Sequence, residues 1–306
     1  MKYFLLLFFP LLLLSCQTEI EVKIPQYYNK LVVEGYIEND EYPMVILTRS
    51  TPYFATMDLA TLMDSVLISN AKVTVTADNG ESETLQLELT EESPILIAYQ
   101  GKTLKGKLNM GYTLKIEWND KVYTSYTKIL NTIDIDSVWF QKMSQNPKDS
   151  SANLRIQMTD KGVHAQYYQF KVKVKNPKFQ DKVWINTIPA AFDNIVFMGQ
   201  TFNYEILRGS PSTLFMPEMS EEARRNYMRM DYRLGDTVYM KYGQLDYDAY
   251  LFWYSAGSEI IFGQNPFMNP TPISSNIKCK TDPNEKALGV WSGLAAKIVR
   301  LEFVEL

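Results

Sequence analysis

The chain has 306 residues, with 31 Lys and Arg against 35 Asp and Glu, a net charge of −4, and 46% apolar side chains. That balance provides no basic footprint for nucleic acid, whose phosphates call for clustered Lys and Arg, and the single histidine, His164, excludes a histidine-rich metal site. The 20 Tyr, 15 Phe and 5 Trp favour strands.

Lys2 is the only charge before residues 3–14, which are aromatic and aliphatic apart from Pro10. A spanning helix needs about 20 apolar residues, so this run is too short to stay in a membrane and has the layout of a secretory leader. "LLSC", residues 13–16, matches the bacterial lipobox, in which the cysteine sulfur receives a diacylglycerol and the leader is removed before it. The expectation is a signal peptide over residues 1–15 and lipidation at Cys16. The result is an anchor rather than a span, since each buried acyl methylene contributes roughly 0.8 kcal/mol. The alternative is an ordinary secretory signal with a chance cysteine. With Cys16 lipidated, Cys279 has no partner in the chain and reads as a small buried hydrophobe.

Residues 16–28 read as a tether, and "KLVVEGYI" then opens a series of strands. In "AKVTVTADNGESETLQLEL", Val73, Val75 and Ala77 alternate with polar residues, Asp78-Asn79-Gly80 supplies a turn, and Leu85, Leu87 and Leu89 alternate again. This predicts a hairpin with one buried face. "GYTLKIEWNDKVYTSYTKI" repeats the pattern with Tyr112, Leu114, Ile116 and Trp118 before a turn at Asn119-Asp120. Residues 29–131 are therefore predicted to form an independent N-terminal β-sandwich domain.

Residues 132–306 read as a second β-rich domain with a few short helices. "IDSVWFQKM", "NLRIQMTD" and "YYQFKVKVKN" are strands, the last placing Tyr168, Phe170, Val172 and Val174 on one face. Residues 176–219 show no clear period. Their aromatic-rich stretch, 184–215, is the expected contact surface, because a long loop in a compact domain is often functional; the alternative is that its rings pack on the sheets. "SEEARRNYMRM" reads as a short helix capped by Ser220, with Glu221 and Glu222 at its positive end. "GDTVYMKYGQL" returns to strand. In "DYDAYLFWYSAGSEIIF", Tyr247, Tyr250, Leu251 and Tyr254 recur at helical spacing behind a cap at Asp246. That stripe is expected to be buried rather than displayed as a carbohydrate platform.

No catalytic constellation emerges. Asp231, Asp236, Asp246 and Asp248 do not fit an EF-hand loop and read as caps and turns. There is no glycine-rich phosphate loop and no Gly-x-Ser-x-Gly elbow, and Gly209-Ser210-Pro211-Ser212 is a turn-prone loop. A cysteine or serine nucleophile would have only His164 as its base. Carboxylates paired for glycoside hydrolysis are legible only in three dimensions.

The lipobox, "KLVVEGYI", "VILTRSTPYF", "GDTVYMKYGQLDYDAYLFW", "GQNPFMNPTPISSNI" and the ending "ALGVWSGLAAKIVRLEF" together resemble the Bacteroidetes lipoproteins grouped as domain of unknown function 4249. The resemblance covers essentially the whole chain after the leader, departing from the family pattern between Ile277 and Ala287. It implies an immunoglobulin-like or carboxypeptidase-regulatory-like N-terminal domain, then a β-rich domain specific to the family. It also implies an outer-membrane lipoprotein, often found beside TonB-dependent transporters. No activity and no functional residues come with it, so Cys16 is the one site carried over. The expectation is a non-enzymatic, lipid-anchored binding or accessory protein without metal or cofactor, working with such a transporter in nutrient uptake. A surface polymer-degrading enzyme and a purely structural envelope protein are the alternatives.

Overall fold

The computed structural model describes residues 29–51, 65–91, 97–143, 150–162, 164–177, 179–209, 221–262 and 272–304. The first strands are β1 (Leu31–Glu38), β2 (Met44–Arg49), β3 (Lys72–Ala77), β4 (Ser82–Thr84), β5 (Gln86–Leu89), β6 (Ile97–Gln100), β7 (Gly111–Trp118) and β8 (Lys121–Lys128). Next come β9 (Ser137–Lys142), β10 (Ser151–Thr159), β11 (Tyr167–Asn176), β12 (Phe179–Gln180), β13 (Ile185–Asp193) and β14 (Thr201–Arg208). The last elements are helix α1 (Glu221–Met228), β15 (Tyr232–Arg233), β16 (Thr237–Leu245), helix α2 (Tyr247–Phe262), β17 (Lys278–Cys279) and β18 (Leu288–Glu302). The fold is mainly β. Among the described residues, a 13-stranded sheet runs β15-β10-β14-β13-β11-β16-β18-β1-β2-β6-β5, with β12 and β9 attached to its flank. A five-stranded sheet runs β17-β8-β7-β3-β4.

The two-residue alternation of the first hairpins builds a sandwich. Val73, Val75, Tyr112, Leu114, Ile116 and Tyr123 point from the small sheet onto Leu31, Val33, Ile37, Val45 and Leu47 of the large one, in a single core. Asn119 and Asp120 take φ of 50° and 59°, as the tight turn between β7 and β8 needs. The second predicted strand of the earlier hairpin departs from expectation. After buried Leu85 the chain leaves the small sheet, and β5 pairs with β6 in the large one. Leu87 and Leu89 therefore lie on an edge strand, 38% and 82% exposed, instead of completing the buried face.

β18 closes this core from the far end of the chain. It lies parallel to β1, pairing Gly35 with Trp291. The indole of Trp291 is fully buried and donates to the Tyr112 carbonyl across the sandwich at 3.0 Å. A side chain at position 35 would collide with it, since a Cβ there would lie 2.9 Å from Trp291 Cε3. Ile277, Ala287, Trp291 and Ala295 thus share the core of β1–β8. Chain continuity up to residue 131 and membership of this core are separate matters. Residues 277–287, where the sequence departs from the expected pattern, add β17 to the edge of the small sheet, and Lys121 pairs with Glu285 at 2.7 Å.

A second core gathers Leu154, Ile156, Tyr168, Phe170, Val172, Phe202, Ile206 and Met240 between the curled strands of the large sheet. Here the reading of residues 176–219 as irregular is corrected over the described part. Residues 179–180, 185–193 and 201–208 are strands. The pairing of β11 with β13 shifts register between Gln169 and Lys171, which erases a clean period in β13. Arg208, at an inward position of β14, also looks like a solvent residue. It is instead fully buried, paired with Asp181 at 2.6 Å, and it donates to the Tyr227 and Arg229 carbonyls at 2.7 and 2.8 Å, holding the end of α1.

Candidate functional site

Strand pleating turns every second residue of β1, β18, β16 and β11 away from the two cores. α2 covers one end of that outer face. Its Ala249 and Tyr250 pack on Leu245, Val290, Leu294 and Ala191, and Asp246 caps its first turn by accepting from the Ala249 N–H at 2.9 Å. Past the helix the outer face is a cavity of about 570 Å³, lined by Tyr36, Glu38, Lys173, Trp184, Lys241 and Ile298, with exposed Asp40 and Glu41 at its rim. A second hollow of about 240 Å³ continues past Lys173, Trp184 and Ile298 towards Tyr239.

Charge is built into the floor. Lys241 and Glu38 come from strands separated by β18, and their side chains, 8% and 6% exposed, form an ion pair of 2.5 Å. The Trp184 ring lies 4.5 Å from the Lys241 ammonium and 5.1 Å from that of Lys173. Lys171 stands between the rings of Tyr36 and Trp253, at 5.2 and 5.6 Å. Burial pushes the Lys171 ammonium below the ordinary lysine range; Glu38 and Glu34 pull it back up and Lys241 pushes it further down. Such a site can orient a polar ligand by charge and stack a ring or an apolar sugar-like face against its aromatics.

The residues singled out from sequence fall in several places. Cys16 and Ser220 lie outside the described residues, as do 210–215 of the expected contact stretch. Trp184, at the start of that stretch, does enter the cavity, whereas Phe192 and Phe202 are buried in the second core. The helical tyrosine stripe is only partly buried: Tyr250 is covered, but Tyr247 and Tyr254 are 53% and 52% exposed. Tyr167 on β11 stacks on Tyr250 at 4.5 Å, and its ring lies 5.2 Å from that of Tyr247. Asp236 accepts from the Arg233 N–H at 2.8 Å in a turn, and Asp231 from Arg233 Nε at 3.2 Å. Cys279 packs half-buried against the first core, and His164 is exposed.

Sequence reading missed Glu38, Lys171, Lys173 and Lys241. Each alternates with apolar residues, the pattern of a solvent-facing position, and only the spacing of Lys171 and Lys173 on one face was there to be noticed. The family model described as domain of unknown function (DUF4249) matches residues 17–297. The chain belongs to this family. The matched residues take in Glu38, Lys171, Lys173, Trp184 and Lys241. No curated protein matches the sequence. Among the described residues, no helix is long and apolar enough to cross a membrane.

Proposed function

We propose that this chain is a lipid-anchored outer-membrane protein that binds a nutrient and works beside a TonB-dependent transporter, without transforming the ligand. The observation that carries the reading is the cavity on the outer face of the large sheet. Its volume falls in the range of about 300–1,000 Å³ usual for small-ligand sites, and its walls come from β1, β11, β16 and β18, which two cores hold rigid. Glu38 is committed to Lys241 in a buried ion pair, an arrangement suited to fixing shape and charge rather than to shuttling protons. Lipid at Cys16 would hold this cavity at a membrane surface, where a transporter could receive its contents.

The test is affinity purification of the tagged protein from detergent-solubilised outer membranes, together with nutrient uptake in a deletion strain. Recovery of a TonB-dependent transporter and slowed uptake are expected. Recovery of the protein alone with unchanged uptake would overturn the accessory role.

A further inference from the structure

The α2 helix carries no basic residue, and neither does the turn at 194–200 that follows β13. Both leave apolar and tyrosine side chains in solvent. Ile195 and Val196 are 60% and 76% exposed, beside the half-exposed Tyr247 and Tyr254 of α2. Asp193 joins the two elements: one carboxylate oxygen accepts the Tyr250 hydroxyl at 2.7 Å and the other accepts the Ile195 N–H at 3.0 Å. Tyr167 lies opposite Asp193 in the β11–β13 ladder, with its ring 5.2 Å from that of Tyr247, and the Tyr254 ring is 5.5 Å from that of Tyr250. Aliphatic tips and tyrosine rings thus form one continuous face.

Single exposed hydrophobic residues need no explanation, but a contiguous set marks a contact surface. Its composition narrows the partner. Tyrosine, apolar along its ring and wet at its hydroxyl, is the residue type that settles at the level of lipid headgroups. A face without Lys or Arg has no electrostatic pull on anionic lipid, and the exposed carboxylate of Asp248 beside Tyr247 opposes one. The surface that fits is zwitterionic.

Reach is a separate, geometric matter. Residues 16–28 separate the expected lipid at Cys16 from the described chain, and at about 3.3–3.6 Å per residue they span up to roughly 45 Å. Strand register gives the distance to be covered. Glu38 lies opposite Leu294, Ala295 opposite Gln244, Gln244 opposite Tyr168 and Tyr168 opposite Phe192. From Leu31 the face is therefore about 23 Å along β1 and about 19 Å across the strands from β1 to β13, roughly 30 Å in all. The tether is long enough for the face to lie on the same membrane that the lipid enters. Tethering also makes the contact intramolecular, so a patch too small to hold a membrane alone suffices.

We propose that this face rests against zwitterionic lipid headgroups and fixes the orientation of the anchored protein. The inference rests on lipidation at Cys16, as proposed above, and adds to it a second point of membrane contact.

Spin labels on the lipidated protein in phosphatidylcholine vesicles test it. Single cysteines are placed in a Cys279→Ala background by Val196→Cys and Tyr254→Cys, with Lys175→Cys, exposed at the far end of β11 from Tyr167, as the control. Labels at 196 and 254 are expected to collide more with oxygen, which concentrates in the bilayer, and less with a water-soluble nickel chelate than the label at 175. Adding Ile195→Asp and Val196→Asp should return the label at 254 to water while the protein still floats with the vesicles. Labels at 196 and 254 as water-exposed as the control, on protein that floats, overturn the contact and leave the anchor standing. Loss of collisions with both probes would mark a second copy of the chain on this face, and overturns the contact as well. A protein that does not float with vesicles overturns anchor and contact together.

Discussion

The hydroxyl of Thr127 donates its proton to the carboxylate of Asp246 while accepting the N–H of Gly293 at 2.6 Å. One side chain thus joins β8 of the small sheet, β18 of the large sheet and the cap of α2. Asp246 also accepts from the Lys128 N–H at 3.2 Å and the Ala249 N–H at 2.9 Å. The helix that covers one end of the outer face is therefore fastened to both sheets.

Asp246→Ala removes the cap and leaves the Thr127 hydroxyl without its acceptor, and is expected to cost about 1–3 kcal/mol in urea unfolding. A pH series has a definite sign. Burial raises the Asp246 carboxyl above its ordinary value of 3.8, against the pull of its three hydrogen bonds. The folded state therefore keeps this proton to a higher pH than the unfolded state does. The resulting stability is full below 3.8 and is lost as pH rises through the folded value. Asp246→Asn lacks this titration, so the stability of the wild type relative to the variant should decline with rising pH across that window. A relative stability that climbs there would reverse the assigned direction.

Glu38→Ala strands the Lys241 ammonium in the cavity floor. A buried charge that loses its partner typically costs about 3–5 kcal/mol, so equilibrium unfolding should show a loss of that order. Replacing both partners, Glu38→Leu with Lys241→Met, removes the desolvated charges together and should recover most of it. If the double variant is no better than Glu38→Ala, the pair is not the coupled unit that its 2.5 Å geometry indicates.

Trp291→Ala opens a void at the centre of the first core, with an expected loss of about 3–5 kcal/mol. Gly35→Ala should destabilise through the opposite defect, since its Cβ would meet Trp291 Cε3 at 2.9 Å. The same contact bears on a fragment of residues 29–131, which lacks Ile277, Ala287, Trp291 and Ala295 of that core. Calorimetry of the fragment is expected to show no cooperative transition. A sharp one would mean that β18 is dispensable to the sandwich.

Labelled fatty acid is expected to enter the wild-type protein in the bacterium and to be absent from Cys16→Ala. Equal labelling of the two would remove the anchor from the proposed function.

Much of the framework is written locally. The pleat has a period of two, so Val73 to Ala77, Tyr112 to Trp118 and Tyr168 to Val174 announce their buried faces without reference to the rest of the chain. Asp246 ahead of the Tyr247–Phe262 spacing announces a capped helix in the same way. Partner choice between sheets is different, because it is decided by surfaces distant in sequence. Nothing near Leu87 says that β5 leaves β4 for the large sheet, and nothing near Gly35 announces Trp291. The cavity is the extreme case. A lysine alternating with apolar residues reads as solvent-facing wherever it occurs; Lys241 is buried in the cavity floor only because Glu38 of β1, 203 residues away in sequence, meets it on the same face of the sheet.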